Sequence, residues 1–186
     1  MFASGVGNGA WRIQTAPTTA ALAAGASAIT GSQARGYRLG AKYAFSNGFA
    51  IGGLWESLIW NMTHTTNGVA AVADLTQLKK SAWKLSGSYT TGNHYVGLDY
   101  YKANELKGSL GANALATAAF DGSGTGARQW ILTYNYMLSK RTSLGGYYNR
   151  VNNDTNASYG GQGFGATSAA AGQTATTYGL SVRHSF

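Results

Sequence analysis

From residue 35 onward, apolar or aromatic side chains alternate with small or polar ones, and the alternation stops and restarts at regular intervals. Over 35–45, Tyr37, Leu39, Ala41, Tyr43 and Phe45 interleave with Gly36, Arg38, Gly40, Lys42 and Ala44. A period of two predicts a β-strand with one greasy and one wet face. The pattern returns over 49–60, where Phe49, Ile51, Gly53, Trp55 and Ile59 stand against Ala50, Gly52, Leu54, Glu56 and Leu58. It appears again over 79–90 (Trp83, Leu85, Gly87, Tyr89 against Lys80, Ala82, Lys84, Ser86, Ser88) and over 94–102 (Val96, Leu98, Tyr100 against Tyr95, Gly97, Asp99, Tyr101). Strands are also predicted over 128–138, with Trp130, Leu132, Tyr134, Tyr136 and Leu138 on one side, and over 142–151. The last stretch, 178–186, sets Tyr178, Leu180, Val182, His184 and Phe186 against Gly179, Ser181, Arg183 and Ser185.

The connections come in two kinds. Ser46-Asn-Gly48, Thr91-Gly-Asn93 and Ser139-Lys-Arg141 are tight hairpin turns, the first two rich in residues that tolerate positive φ. The other three, about 61–78, 103–126 and 152–173, are long loops rich in small residues. A compact soluble domain rarely carries several structureless loops longer than ~15 residues. Transmembrane barrels combine short turns at one end with long loops at the other. Eleven residues at ~3.3 Å rise and ~40° tilt span roughly 28 Å, close to an apolar band of about 25 Å. The expected fold is therefore all-β, an antiparallel transmembrane β-barrel segment of seven strands. An eighth would start within 2–9 and end at Trp11-Arg-Ile-Gln14. Residues 1–34 read as a poorly defined stretch, with 16–30 a loop of Ala, Thr and Gly around Pro17; residues 35–186 form the β-segment.

Composition agrees. Only 11% of the 186 residues are charged and 12% are aromatic, against about 25% charged in ordinary soluble domains. The net charge of +8 raises nucleic-acid binding by a soluble β-protein as a competing reading. Yet the basic residues are scattered, with Lys79-Lys80 and Lys140-Arg141 the only adjacent pairs, so no nucleic-acid partner is expected. No Cys is present, which removes disulfides and thiolate metal sites. The opening Met1-Phe-Ala-Ser-Gly-Val-Gly7 lacks a basic and an apolar region, so export information is expected to lie upstream or to be absent. His64, His94 and His184 lack ligand spacing, no G-x-S-x-G elbow occurs, and Asp121-Gly-Ser-Gly-Thr-Gly126 has neither the Lys nor the helix of a phosphate loop. Neither an enzyme, a metal site nor a cofactor is expected.

The run Trp130-Ile-Leu-Thr-Tyr-Asn-Tyr-Met-Leu-Ser-Lys-Arg-Thr142, followed by Leu144-Gly-Gly-Tyr-Tyr-Asn-Arg150, resembles the general porins of β-proteobacteria. So do Ala82-Trp-Lys-Leu-Ser-Gly-Ser-Tyr89, His94-Tyr-Val-Gly-Leu-Asp-Tyr-Tyr-Lys-Ala103 and the terminal Gly179–Phe186. The resemblance implies the carboxy-terminal half of a sixteen-stranded, usually trimeric outer-membrane barrel. It also implies that Tyr178, Leu180, Val182 and Phe186 belong to the signal read by the barrel-assembly machinery. A passive channel for ions and small hydrophilic solutes follows, as a truncated product of the family. The competing readings are a natural eight-stranded barrel and a small non-conducting barrel with a structural or adhesive role.

If the greasy face meets lipid, Arg38, Lys42, Glu56, Lys84, Asp99 and Arg183 face the lumen, because charge on the lipid side costs ~2–4 kcal/mol near the midplane. Turn geometry sets Ser86 opposite Asp99 and so brings Lys84 near it. Trp55, Trp83, Tyr89, Tyr100, Trp130, Tyr136 and Tyr148, with Trp11, Trp60, Tyr43 and Tyr178, are expected as interfacial aromatics.

Overall fold

The computed structural model describes residues 29–64, 75–110, 121–160 and 169–186. Among them there is no helix, and eight strands form one antiparallel sheet: β1 (Ile29–Ala44), β2 (Phe49–His64), β3 (Leu75–Thr91), β4 (His94–Ala103), β5 (Lys107–Leu110), β6 (Ala127–Met137), β7 (Thr142–Asn153) and β8 (Thr174–His184). The order is β1-β2-β3-β4-β6-β7-β8, each strand beside its chain neighbour, while β5 pairs with β3. Since β4 covers β3 from Thr91 to Ala82 and β5 covers it from Lys79 to Leu75, the two are one interrupted lane. The seven expected strands are thus seven lanes.

Two expectations need correction. Residues 103–126 are not all loop, because β5 lies within them. Asn104 bridges the break: its N–H donates to the Ser81 carbonyl at 2.9 Å and its side-chain amide to Ser81 Oγ at 2.9 Å. Glu105 is turned away to accept the Gly124 N–H at 3.1 Å. The strands at the loop end also run further than their apolar pattern, β1 beginning at Ile29, β2 reaching His64 and β3 starting at Leu75. The first-strand expectation at 2–14 and the leader reading lie outside the described residues.

The three predicted turns are present. In the first, the Phe45 N–H donates to the Phe49 carbonyl at 2.8 Å, and Gly48 adopts φ 88. A Cβ there would run into the Thr90 carbonyl oxygen. Only glycine fits that corner, being free of the left-handed penalty and of the clash.

Burial is inverted relative to a soluble domain. The apolar parity is open, with Leu39 75% and Leu180 95% exposed, whereas Gln129 and Asn149 on the polar parity are 1% and 0% exposed. The Gln129 amide donates to Asn149 Oδ1 at 2.8 Å. Leu78, Lys80, Ala103, Ala127 and Val151 are buried on that same parity, all toward the loop end. Loop segments lie across them: the Asp154 N–H donates to the Gly126 carbonyl at 3.0 Å, the Asn156 N–H to the Gly124 carbonyl at 2.8 Å, and Lys80 Nζ to the Thr125 carbonyl at 2.7 Å.

Candidate pore wall and membrane-facing surface

Directly paired residues on neighbouring strands share a face of a sheet, so the register assigns every side chain to a side. Arg38 opposes Glu56, which opposes Ala82; Lys42 opposes Gly52, then Ser86, then Asp99. Lys84 opposes Tyr101, then Gln129, then Val151; and Arg183 opposes Ser143. Arg38, Lys42, Glu56, Lys84, Asp99 and Arg183 therefore lie on one face, opposite the greasy one. Two pairs form among them. Arg38 Nε donates to Glu56 Oε2 at 2.7 Å, and a second guanidinium nitrogen meets the same oxygen. Lys84 Nζ stands 3.0 Å from Asp99 Oδ1, the proximity expected from the turn, and 4.8 Å over the Tyr101 ring. Lys42 and Arg183 have no carboxylate at ion-pair distance among the described residues.

The sequence reading did not single out Lys80. It is buried on this face at the loop end, its ammonium over the Tyr159 ring at 5.5 Å. Burial pushes the Tyr159 phenol up to about 12. In the loop, the Asp121 carboxylate accepts the Ser123 N–H at 2.9 Å and is held below its usual range. With Glu105 holding the Gly124 N–H, two backbone donors of the Gly-Ser-Gly-Thr-Gly run are occupied by the chain's own carboxylates.

The greasy face carries Trp55, Trp83, Tyr89, Tyr100, Trp130, Tyr136, Tyr148 and Tyr178 by register. Toward the loop end, Trp55 opposes Trp83, and rings continue from Trp83 to Tyr100 at 5.2 Å and from Tyr100 to Trp130 at 4.3 Å. Toward the turn end, Phe49 stacks on Tyr89 at 4.3 Å and His94 on Tyr136 at 4.9 Å. Trp60 departs from expectation: it opposes Ala34 and Leu78, on the polar face. Five residues separate it from Trp55, an odd spacing that cannot keep two strand residues on one side. Trp11 lies outside the described residues. His94 and His184 meet Tyr134 Oη and Thr142 Oγ1, each at 2.8 Å, rather than carboxylates. Tyr178, Leu180, Val182 and Phe186 are all exposed along β8 and its end.

An antiparallel sheet with an open apolar face, a charged opposite face and turns of unequal length describes a wall between lipid and water. The family model for Gram-negative porins matches residues 5–157. The chain belongs to that family. No curated protein sequence matches it. Among solved structures, it is similar in fold to the anion-selective porin from Comamonas acidovorans, with a TM-score of 0.63 at 23% identity over 83% of this chain. The chain spans 40% of that porin's length. In this porin-family chain, the residues sequence reasoning overlooked are cations on the greasy parity: Arg35, Lys79, Lys102, Lys107, Arg128 and Arg150. A signal for most of them was present, a basic residue two positions beyond the last aromatic of a strand.

Proposed function

We propose that the chain forms part of the wall of a water-filled outer-membrane channel through which ions and small hydrophilic solutes diffuse downhill. The observation that carries this reading is the inverted burial: an exposed apolar face opposite a charged one, a partition that is unfavourable in water and favourable between hydrocarbon and an aqueous lumen. Family membership supports it. Transport of this kind uses no cofactor and no catalytic residue. Arg38, Lys42, Glu56, Lys84, Asp99 and Arg183 line the lumen, and Trp55, Trp83, Tyr89, Tyr100, Trp130, Tyr136 and Tyr148 sit at the lipid boundaries. With Arg38–Glu56 and Lys84–Asp99 each neutralised, Lys42 and Arg183 leave the wall net positive, which concentrates anions. The similar solved porin is named anion-selective, in keeping with that sign. The partners of this reading are outer-membrane lipid, the assembly machinery acting on Tyr178, Leu180, Val182 and Phe186, and further copies of the chain in a homotrimer.

Refolded full-length protein in planar bilayers tests it. Discrete conductance steps are expected, with a reversal potential in a KCl gradient of the sign of chloride preference. A heat-modifiable folded protein that never conducts would overturn the channel and favour the structural barrel.

A further inference from the structure

Glycine weakens a strand, because it gives up much backbone freedom and offers no side chain to pack. Two glycines nevertheless stand in one row of the polar face. Across β4, β6, β7 and β8 the register sets Gly97 opposite Thr133, Thr133 opposite Tyr147 and Tyr147 opposite Gly179. The space above each glycine is taken by a tyrosine. A Cβ on Gly179 would come within 2.5 Å of Tyr147 Cε1 and 2.9 Å of its Cζ. One on Gly97 would come within 2.9 Å of Tyr95 Oη and 3.2 Å of its Cε1. Tyr147 thus leans across to the neighbouring strand and Tyr95 along its own, each over bare backbone. The greasy face offers a contrast in Gly87, where nothing lies within 4 Å of a Cβ position.

A tyrosine has three staggered choices at χ1, and the surroundings of Tyr147 limit them. Along its own strand, Asn149 is fully buried two positions on, and the side chains of Asn135 and Ser181 close over Gly145 two positions back. Across on β6 stands Thr133. Tyr95 is flanked in the same way by Thr90 on β3 and Asn135 on β6. Were the place over Gly179 or Gly97 filled, the direction left for the ring is away from the sheet, into the space that this face borders.

Resting on the reading that the polar face borders a water-filled lumen, we propose that Gly97 and Gly179 determine which solute sizes pass this part of the channel. By giving Tyr95 and Tyr147 a place on the wall, they keep two aromatic rings out of the solute path. They are positioning residues that act through those rings. Passage of a neutral solute depends on the width open to it, so a substitution that leaves every charge in place would still change what the channel admits.

The test uses full-length protein refolded into planar bilayers and liposomes, with folding checked by the heat shift. Valine suits a strand, so Gly179→Val and Gly97→Val fill the two places. Each should lower single-channel conductance and slow the entry of a neutral trisaccharide more than that of a monosaccharide. Adding Tyr147→Ala to Gly179→Val, and Tyr95→Ala to Gly97→Val, should restore the wild-type values, a coupling that a general loss of stability would not produce. Tyr147→Ala alone should stay close to the wild type, its ring being already off the path, and it supplies the second reading should the valine variants fail the heat shift. Gly87→Val, on the greasy face, should also match the wild type. Unchanged conductance and sugar entry in both valine variants overturns the proposal, as does a loss that the added alanine fails to restore, or an equal loss in Gly87→Val. A Tyr147→Ala channel that newly admits the trisaccharide would put the ring in the solute path and overturns it too. In each of these cases a conducting wild type leaves the channel reading standing; a wild type that never conducts overturns both.

Discussion

Lys84 and Asp99 show how much one neighbour changes the meaning of a residue. At 3.0 Å, both partly exposed, they contribute about 0–1 kcal/mol to stability; their consequence is charge placement, since together they remove one cation and one anion from the polar face. Arg38 and Glu56 do the same one pair away. Lys80 and Tyr159 play a different part, tying the loop after β7 onto the polar face. Because the buried phenol titrates near 12 rather than 10.0, the folded chain keeps a proton there that the unfolded chain has released. Its contribution to stability is full below pH 10.0, declines above it and is gone by about 12. A tyrosinate absorbance titration of wild type minus Tyr159→Phe should show a single phenol with a midpoint near pH 12; a midpoint at the ordinary value would place Tyr159 in solvent.

Within a strand, parity decides what a substitution costs. Leu132 on β6 opposes Leu98 and Tyr148 on the greasy side, while Ser88 on β3 opposes Ala50 and Gly97 on the other. Leu132→Arg should therefore lower the unfolding free energy in phospholipid vesicles by about 2–4 kcal/mol, and Ser88→Arg should leave it within about 1 kcal/mol. Urea midpoints of the two variants measure this, and equal losses would refute a lipid-facing parity. The same reasoning explains why β1, β2 and β3 outran their pattern. Sixteen residues at ~3.3 Å and ~40° tilt reach roughly 40 Å, well beyond an apolar band of about 25 Å. Above the band there is no hydrocarbon to require greasy side chains, so polar pairs take over: Gln77 donates to Asn61 across β2 and β3 at 2.9 Å. The ladder continues through backbone bonds that periodicity does not register. β5, only Lys-Gly-Ser-Leu, has no alternation of its own and is a strand because the rest of β3 offers an edge.

Among the described residues the charges separate into four places: a mixed set on the polar face, an unmatched basic set on the greasy parity at the loop end, the carboxylates Glu105, Asp121 and Asp154 between strands at that same end, and Lys140 and Arg141 in a turn. The channel reading makes the first set responsible for selectivity. Asp99→Asn should release Lys84 and move the reversal potential toward stronger anion preference, and Lys42→Gln/Arg183→Gln should move it the other way. Shifts in the same direction, or none, would remove these side chains from the ion path.

Residue order alone determined the parity of most strands, the tight turns and the family resemblance, because a period of two and a positive-φ corner are local properties of the chain. It also brought Lys84 to Asp99, since a two-residue turn fixes the register of a hairpin. Tertiary structure decided what depends on residues far apart in sequence. It paired Arg38 with Glu56, set Gln129 against Asn149, and opposed Lys102 to Arg128. Each of these needs the register between strands, and register arises only once neighbouring lanes share their backbone hydrogen bonds.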